Sequence, residues 1–224
     1  MNEIKYRIYG KENRIMYSWE EILNFDSLKD TLKNGGKEDQ YYSPLLPCTG
    51  IKDKNGKEIY VGDILKGPTL YETPENTATT YSHWKVTYGN CSFYLGDSPI
   101  DEDIDWVSEE CEVVGNVYEN PELLMKVFKM NDYDWVAAKN EEEAKNFYEE
   151  FIDREEIEEY FVGEVSLKDK MHISIDELPD EEQRVATIEP VIHRGGETCV
   201  LRSFEWVIKR DNITNPCIIA STEY

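Results

Sequence analysis

Apolar and polar positions alternate from the start of the chain: Ile4, Tyr6 and Ile8 interleave with Lys5, Arg7 and Tyr9. Successive side chains of a strand point to opposite faces, so this spacing predicts a half-buried strand. Gly10 to Asn13 turns it toward a second short strand, Ile15-Met16-Tyr17. Ser18 and Glu21 form a capping box that opens a helix at Trp19; Asp26-Ser27 interrupts it, and Lys33-Asn34-Gly35-Gly36 ends the remaining helical stretch.

The densest turn signals lie between Thr49 and Leu65. Asn55-Gly56 suits a type I′ hairpin turn, whose two central residues both need φ > 0. Gly62-Asp63 then punctuates the chain before Ile64-Leu65. Trp84 to Leu95 reads as a second hairpin with Gly89-Asn90 as a type II′ loop. That register sets Tyr88 against Cys91, Val86 against Phe93 and Trp84 against Leu95, with all six on the core face. Cys111 to Tyr118 reads as another strand, bulged at Gly115, and Asn120-Pro121-Glu122 begins a helical turn. Residues 37 to 48 and 67 to 82 have loop composition.

A domain boundary is expected near Lys126 to Met130. Beyond it Tyr133 to Ala138 is strand-like, and Asn140 caps a helix with Glu143 at its third position and Ala144, Phe147, Tyr148 and Phe151 on the apolar face. Glu155 to Tyr160 continues as a second helical piece. Val162 to Leu167, His172 to Ile175, Ala186 to His193, Thr198 to Trp206 and Cys217 to Ala220 read as strands, and Pro179 to Gln183 begins a short helix. The predicted class is α+β: an antiparallel β-barrel-like domain over residues 1–128, then a smaller acidic α+β domain over residues 131–224.

Charge changes this picture more than any other total. The 224 residues include 47 acidic against 24 basic, a net charge of -23. Direct binding to nucleic acid or to anionic membrane needs clustered Lys and Arg, and no such run occurs. Acidic residues concentrate between positions 131 and 164, thirteen against three basic. An acidic surface of this kind suits a basic protein partner. The five cysteines form no C-x-x-C pair, which leaves reduced thiols and no zinc ribbon or redox motif. With no apolar leader in Met-Asn-Glu-Ile-Lys and no stretch of eighteen apolar residues, a cytoplasmic protein is expected.

Sites for chemistry are sparse. His83, His172 and His193 lie outside metal-ligand spacing of one another and of any cysteine. Asp101, Asp103, Asp105 and Glu112 occupy positions 1, 3, 5 and 12 of a calcium-loop pattern, a candidate set of oxygen ligands. Trp106 stands where that loop needs glycine, and the following segment reads as strand, which favours a solvated acidic loop. Nucleotide-binding, serine-hydrolase and zinc-protease motifs are missing, and Gly195-Gly196 reads as a turn. No catalytic residue and no cofactor is expected.

Three blocks carry a family resemblance: Ile4-Lys5-Tyr6-Arg7; Thr49-Gly50-x-Lys52-Asp53-x-Asn55-Gly56-x-Glu58-Ile59-Tyr60-x-Gly62-Asp63-Ile64; and Val114-Gly115-Asn116-x-Tyr118-Glu119-Asn120-Pro121-Glu122-Leu123-Leu124. In this order, over about residues 1–126, they resemble the YopX family. Pro47-Cys48, where the family usually has Gln and an aromatic, and Val61, in place of a common Glu, depart from it. The resemblance implies a small β-barrel-like fold, an origin in bacteriophages or prophages, and self-association. It supplies no catalytic residues to carry over. Tyr133-Asp134-Trp135-Val136-Ala137-Ala138 followed by Glu-Glu-Glu-Ala looks like small accessory domains of phage proteins, with no function attached.

The expected function is that of a non-enzymatic accessory protein that binds a host protein through its acidic surface. Its specific form is inhibition of a host antiviral defence nuclease by imitation of a phosphate track. Candidate contacts are Glu141, Glu142, Glu149, Glu150, Glu155, Glu156, Glu158 and Glu159. The alternatives are an oligomeric module that binds a small ligand such as a nucleotide, and a phage replication or regulatory factor.

Overall fold

Strands β1 (Tyr6–Gly10) and β2 (Ile15–Tyr17) form the hairpin that the alternation predicts, with Ile8 opposite Tyr17 and Gly10 opposite Ile15. The computed structural model describes residues 4–26, 28–69, 81–186, 190–194 and 196–222. Ser27, residues 70–80 of the expected second loop, residues 187–189 of the expected Ala186 to His193 strand and Gly195 of the expected turn lie outside the described residues.

Helix α1 (Trp19–Ile22) begins on the expected capping box: the Ser18 hydroxyl accepts from the Glu21 amide, and the Glu21 carboxylate accepts from the Ser18 amide at 2.8 Å. Helix α2 (Leu28–Lys33) ends where the Gly36 amide donates to the Thr31 carbonyl and the Gly35 amide to the Leu32 carbonyl. This double closure requires left-handed backbone, and both glycines have it, at φ 72° and 65°.

Strands β3 (Leu46–Lys52) and β4 (Glu58–Tyr60) extend the first sheet to the order β2-β1-β3-β4. Their turn differs from the expected type I′, because Gly56, at φ 81°, is the only residue between Asp53 and Lys57 with positive φ. Asp53 organises it instead. Its Oδ1 accepts from the Asn55 and Lys57 amides, both at 2.9 Å, while the Gly56 amide donates to the Asp53 carbonyl at 2.8 Å. An aspartate that satisfies its own turn's amides needs only one left-handed position to close the loop.

The second sheet has the order β8-β7-β6-β5-β9, built from β5 (Asp63–Pro68), β6 (Tyr81–Gly89), β7 (Ser92–Leu95), β8 (Ser98–Pro99) and β9 (Glu112–Asn116). The β6–β7 loop is Asn90-Cys91, not Gly89-Asn90, with φ of 49° and 61°. Val86 consequently faces Leu95 and Tyr88 faces Phe93. Each partner has moved by two residues, so the pleat keeps its parity, and Trp84, Val86, Phe93 and Leu95 still point to the core. Cys91 has left that face for the turn, and Tyr88 is exposed.

Between β8 and β9 lies α3 (Ile104–Glu110), where a solvated acidic loop was expected. Val107 and Cys111 lie one turn apart and bury together with Ile59, Leu65, Val86 and Leu95, which gives the segment a helical apolar side. The bulge expected at Gly115 is present: pairing shifts between Ile64 and Leu65, and a Cβ at Gly115 would come within 2.5 Å of the Asn120 Oδ1.

The chain divides into two compact units, Met1–Leu124 and Met125–Tyr224. The break falls ahead of the expected boundary because β10 (Lys126–Lys129) pairs with β11 (Asp134–Ala138) on one side and β12 (Gly163–Val165) on the other. Helices α4 (Glu141–Tyr148) and α5 (Arg154–Tyr160) connect β11 to β12. They are followed by β13 (Lys170–Ser174), α6 (Asp180–Ala186), β14 (Ile192–Arg194) and β15 (Glu197–Ser203). The expected Thr198 to Trp206 strand stops at Ser203, whose hydroxyl caps α7 (Phe204–Arg210) by accepting from the Trp206 amide. Phe204, Val207 and Ile208 form the buried face of α7. Strand β16 (Cys217–Ser221) completes one sheet, β12-β10-β11-β16, and β13-β15-β14 forms the other. The fold is α+β with mostly antiparallel sheets, one of them curled like half a barrel.

Candidate functional site

In the first unit, the polar residues of the three sequence blocks turn inward as ties between strands. The fully buried Asp63 carboxylate accepts from the Arg7 guanidinium at 2.6 Å and from the Tyr60 amide at 2.8 Å. Arg7 lies over the Tyr60 ring at 4.3 Å. The Tyr60 hydroxyl donates to Glu58 at 2.9 Å, and Lys5 meets the same carboxylate at 2.8 Å. The Lys5 and Tyr60 hydrogen bonds hold the Glu58 carboxyl below its ordinary range, while burial pushes the Tyr60 phenol up. Asp53 Oδ2 reaches across to the Val113 amide at 2.9 Å, and Asn116 accepts from the Tyr118 and Glu119 amides, both at 3.0 Å. Each of these side chains has a partner within the fold, Arg7 through a terminal guanidinium nitrogen while its buried Nε has none, so their chemistry is that of strand registration.

The eight candidate glutamates lie on α4 and α5 or directly after α4. Asn140 accepts from the Glu143 amide at 2.8 Å, which fixes the start of α4, and Ala144, Tyr148 and Ile157 bury against Phe128, Met130, Val136 and Ala138. Phe151, expected on the apolar face, is instead 58% exposed at its margin, 5.5 Å from the Phe147 ring. Two cations divide the glutamates. Lys145 sits between Glu141 at 2.8 Å and Glu158 at 2.9 Å, over the Phe161 ring. Arg154 fans out to Glu142 at 3.1 Å, Glu149 at 2.9 Å and Glu158 at 3.1 Å. These hydrogen bonds, that with Glu141 foremost, raise the Lys145 pKa, and those with Glu149 and Glu142 raise that of Arg154. Lys145 in turn holds Glu158 below the ordinary carboxylate range.

Glu150, Glu155, Glu156 and Glu159 take no part in these ion pairs. Helix geometry explains the sorting: residues advance by about 100° each, so with Ile157 pointing inward, Arg154 and Glu158 share one flank, Glu155 and Glu159 point outward opposite Ile157, and Glu156 lies on the other, open flank. Tyr160 and Val162, 54% and 61% exposed, adjoin that open flank, and the Tyr160 hydroxyl bonds to Glu159.

The calcium-pattern residues do not converge. Asp103 precedes α3, Asp105 lies in its first turn, and Glu112 opens β9 and pairs with Lys54 at 3.1 Å. Among the described residues no group of three or more His, Cys, Asp or Glu could hold a metal ion. His83, His172 and His193 lie on β6, β13 and β14, and His193 Nδ1 is 3.1 Å from the Thr198 hydroxyl.

One feature of the second unit had no signal in the sequence: a cleft of about 580 Å³ bordered by β13 and β16. Trp135 and the buried Phe204 give it an apolar lining, and Lys170, His172, Glu177 and Glu197 give it charge. Its lining comes from residues as far apart in the chain as Trp135 and Thr222, which no local spacing encodes.

A family model described as YopX protein matches residues 5–125. No curated protein matches the chain. Among solved structures, the crystal structure of protein EF1440 from Enterococcus faecalis is similar at 22% identity and a TM-score of 0.38, covering 55% of this chain and 99% of that one.

Proposed function

The chain belongs to the YopX family through its first unit, and from that premise we propose that it acts without catalysis, binding a basic host protein through the open flank of α5 in the second unit. The supporting observation is the division of the glutamates: four are neutralised by Lys145 and Arg154, whereas Glu150, Glu155, Glu156 and Glu159 lie beside exposed Phe151, Tyr160 and Val162. Unpaired acids steer a cationic partner, and exposed aromatic groups supply desolvated contacts once it arrives. The specific form proposed is occupation of the nucleic-acid groove of a host defence nuclease, with the carboxylates standing in for phosphates. Capture of host proteins on the immobilised chain at low and high salt tests the reading. Retention of a basic nucleic-acid-binding protein is expected, with release by salt. Reversing Glu150, Glu155, Glu156 and Glu159 to Lys should abolish capture while leaving the melting temperature within a few degrees, because among the described residues these four hold no ion pair. Undiminished capture by that variant would remove this surface from consideration.

A further inference from the structure

The cleft of the second unit lies over the face of a sheet. Side chains alternate between the two faces of a strand, and Lys170, His172 and Ser174 of β13 line the cleft together with Glu197 and Cys199 of β15. Of the residues these two strands contribute, only Met171 breaks the alternation. Ser174 pairs with Cys199, so both sets share one face. The register also sorts the charges. Lys170 opens β13 and His172 follows two residues on, whereas Glu197 lies on β15 two residues beyond the Ser174–Cys199 pair, and Glu177 lies in the turn that follows β13. Nitrogen side chains therefore occupy one end of the cleft and carboxylates the other. Among the described residues, Lys170, His172, Glu177 and Glu197 form neither an ion pair nor a side-chain hydrogen bond. Ionisable groups of both signs, held at opposite ends of one cavity and left without partners, specify the charges of what fills it.

We propose that this cleft binds a short free peptide by its two termini, the carboxylate at Lys170 and His172 and the ammonium at Glu177 and Glu197. Lys170 and Ser174 stand about 13 Å apart along the strand. Long side chains reach inward from both ends, so a ligand that meets both separates its charges by on the order of 10 Å. Three extended residues span about 10 Å, whereas the charges of a single amino acid are too close together. The cleft volume of about 580 Å³ lies within the range of small-molecule sites. Trp135 and Phe204 favour an apolar or aromatic side chain between the two ends. This site is separate from the open flank of α5, and its failure would leave that reading untouched.

Calorimetric titration of the full-length chain with alanyl-phenylalanyl-alanine tests it. The free tripeptide should bind, and N-acetylation or C-amidation should each weaken binding about tenfold. Alanyl-phenylalanine, too short to meet both ends, should bind no better than either capped form. Lys170→Met should make C-amidation cost nothing further, and Glu177→Gln combined with Glu197→Gln should do the same for N-acetylation. Each variant should stay sensitive to the cap at the opposite end. Amide resonances of Lys170–Ser174 and Glu197–Ser203 should shift on binding, and thermal melting of each variant separates these effects from unfolding. No binding of the free tripeptide at millimolar concentration, or equal affinity for the doubly capped form, would overturn the proposal. So would equally tight binding of a nucleoside monophosphate, which would make the cleft a site for an anion alone.

Discussion

Asp53 shows how much a single side chain can settle. Its two oxygens take three backbone amides, from Asn55, Lys57 and Val113, and so fix both the β3–β4 turn and the approach of β9. Asp53→Ala should cost about 2–4 kcal/mol in denaturant unfolding, since the amides lose their acceptors in a buried setting. Burial pushes the Asp53 carboxyl up, but the Val113, Lys57 and Asn55 amides outweigh it and hold the group below its usual range. The unfolded chain therefore takes up this proton first as pH falls: the stabilisation is complete above about pH 4 and fades as pH drops through the lower folded-state value. Asp53→Asn should flatten that acid limb of a stability profile while lowering the plateau. Asn55-Gly56 marked the turn in the sequence, yet its geometry belongs to Asp53, because convergence of three amides on one carboxylate exists only once β9 is in place. Arg7 and Asp63 were legible as family positions in the same limited way, their pairing visible only after β1 and β5 meet.

At the scale of elements, periodicity identified most strands and the caps of α1 and α4, because those signals are local. It failed at α3 and α7, where short helices of seven residues hide among apolar residues that suit either period, and burial decides. The β6–β7 register slipped by a full pleat period, so the core face was readable even though the turn was misplaced. Helices α4 and α5 offer a contrast between packing and charge. Ile157→Ala should destabilise the second unit by about 2–5 kcal/mol, since Ile157 is buried against Tyr148 and Val136 and leaves a cavity. Arg154→Gln should barely change the melting temperature, as its partners are largely solvated, but should speed amide exchange across α5 and make that rate less sensitive to salt. Equal effects of the two substitutions in both measurements would contradict this division. Six of the eight candidate glutamates lie on the helical pair that the pattern predicts and two directly after α4, but which of them stay out of ion pairs depends on α4 and α5 folding back on each other, beyond the reach of a linear pattern.

For the whole molecule, the boundary decides what each half can do alone. Strand β10 lies inside the sheet β12-β10-β11-β16, and Val127 and Phe128 are buried in the two cores of the second unit. A fragment of residues 125–224 should fold, whereas one of residues 131–224 should not, since loss of those two side chains alone removes about 3–6 kcal/mol of burial. Near-ultraviolet circular dichroism of both fragments checks this, and a native spectrum from the shorter one would show β10 to be dispensable. The class was legible from the change of pattern, while the break itself was not, because Lys126–Lys129 is too short a segment to carry a period of its own and is fixed as a strand by its partners β11 and β12 on either side. That same sheet also constrains biosynthesis. Its outer strand β16 pairs with β11, with Ala137 opposite Cys217, so a nascent chain presents β11 some eighty residues before its neighbour is translated. At ordinary elongation rates the delay is on the order of ten seconds. The first unit has all its strands within that time, while the second must keep an open β11 edge away from other chains until the ribosome delivers Cys217–Ser221.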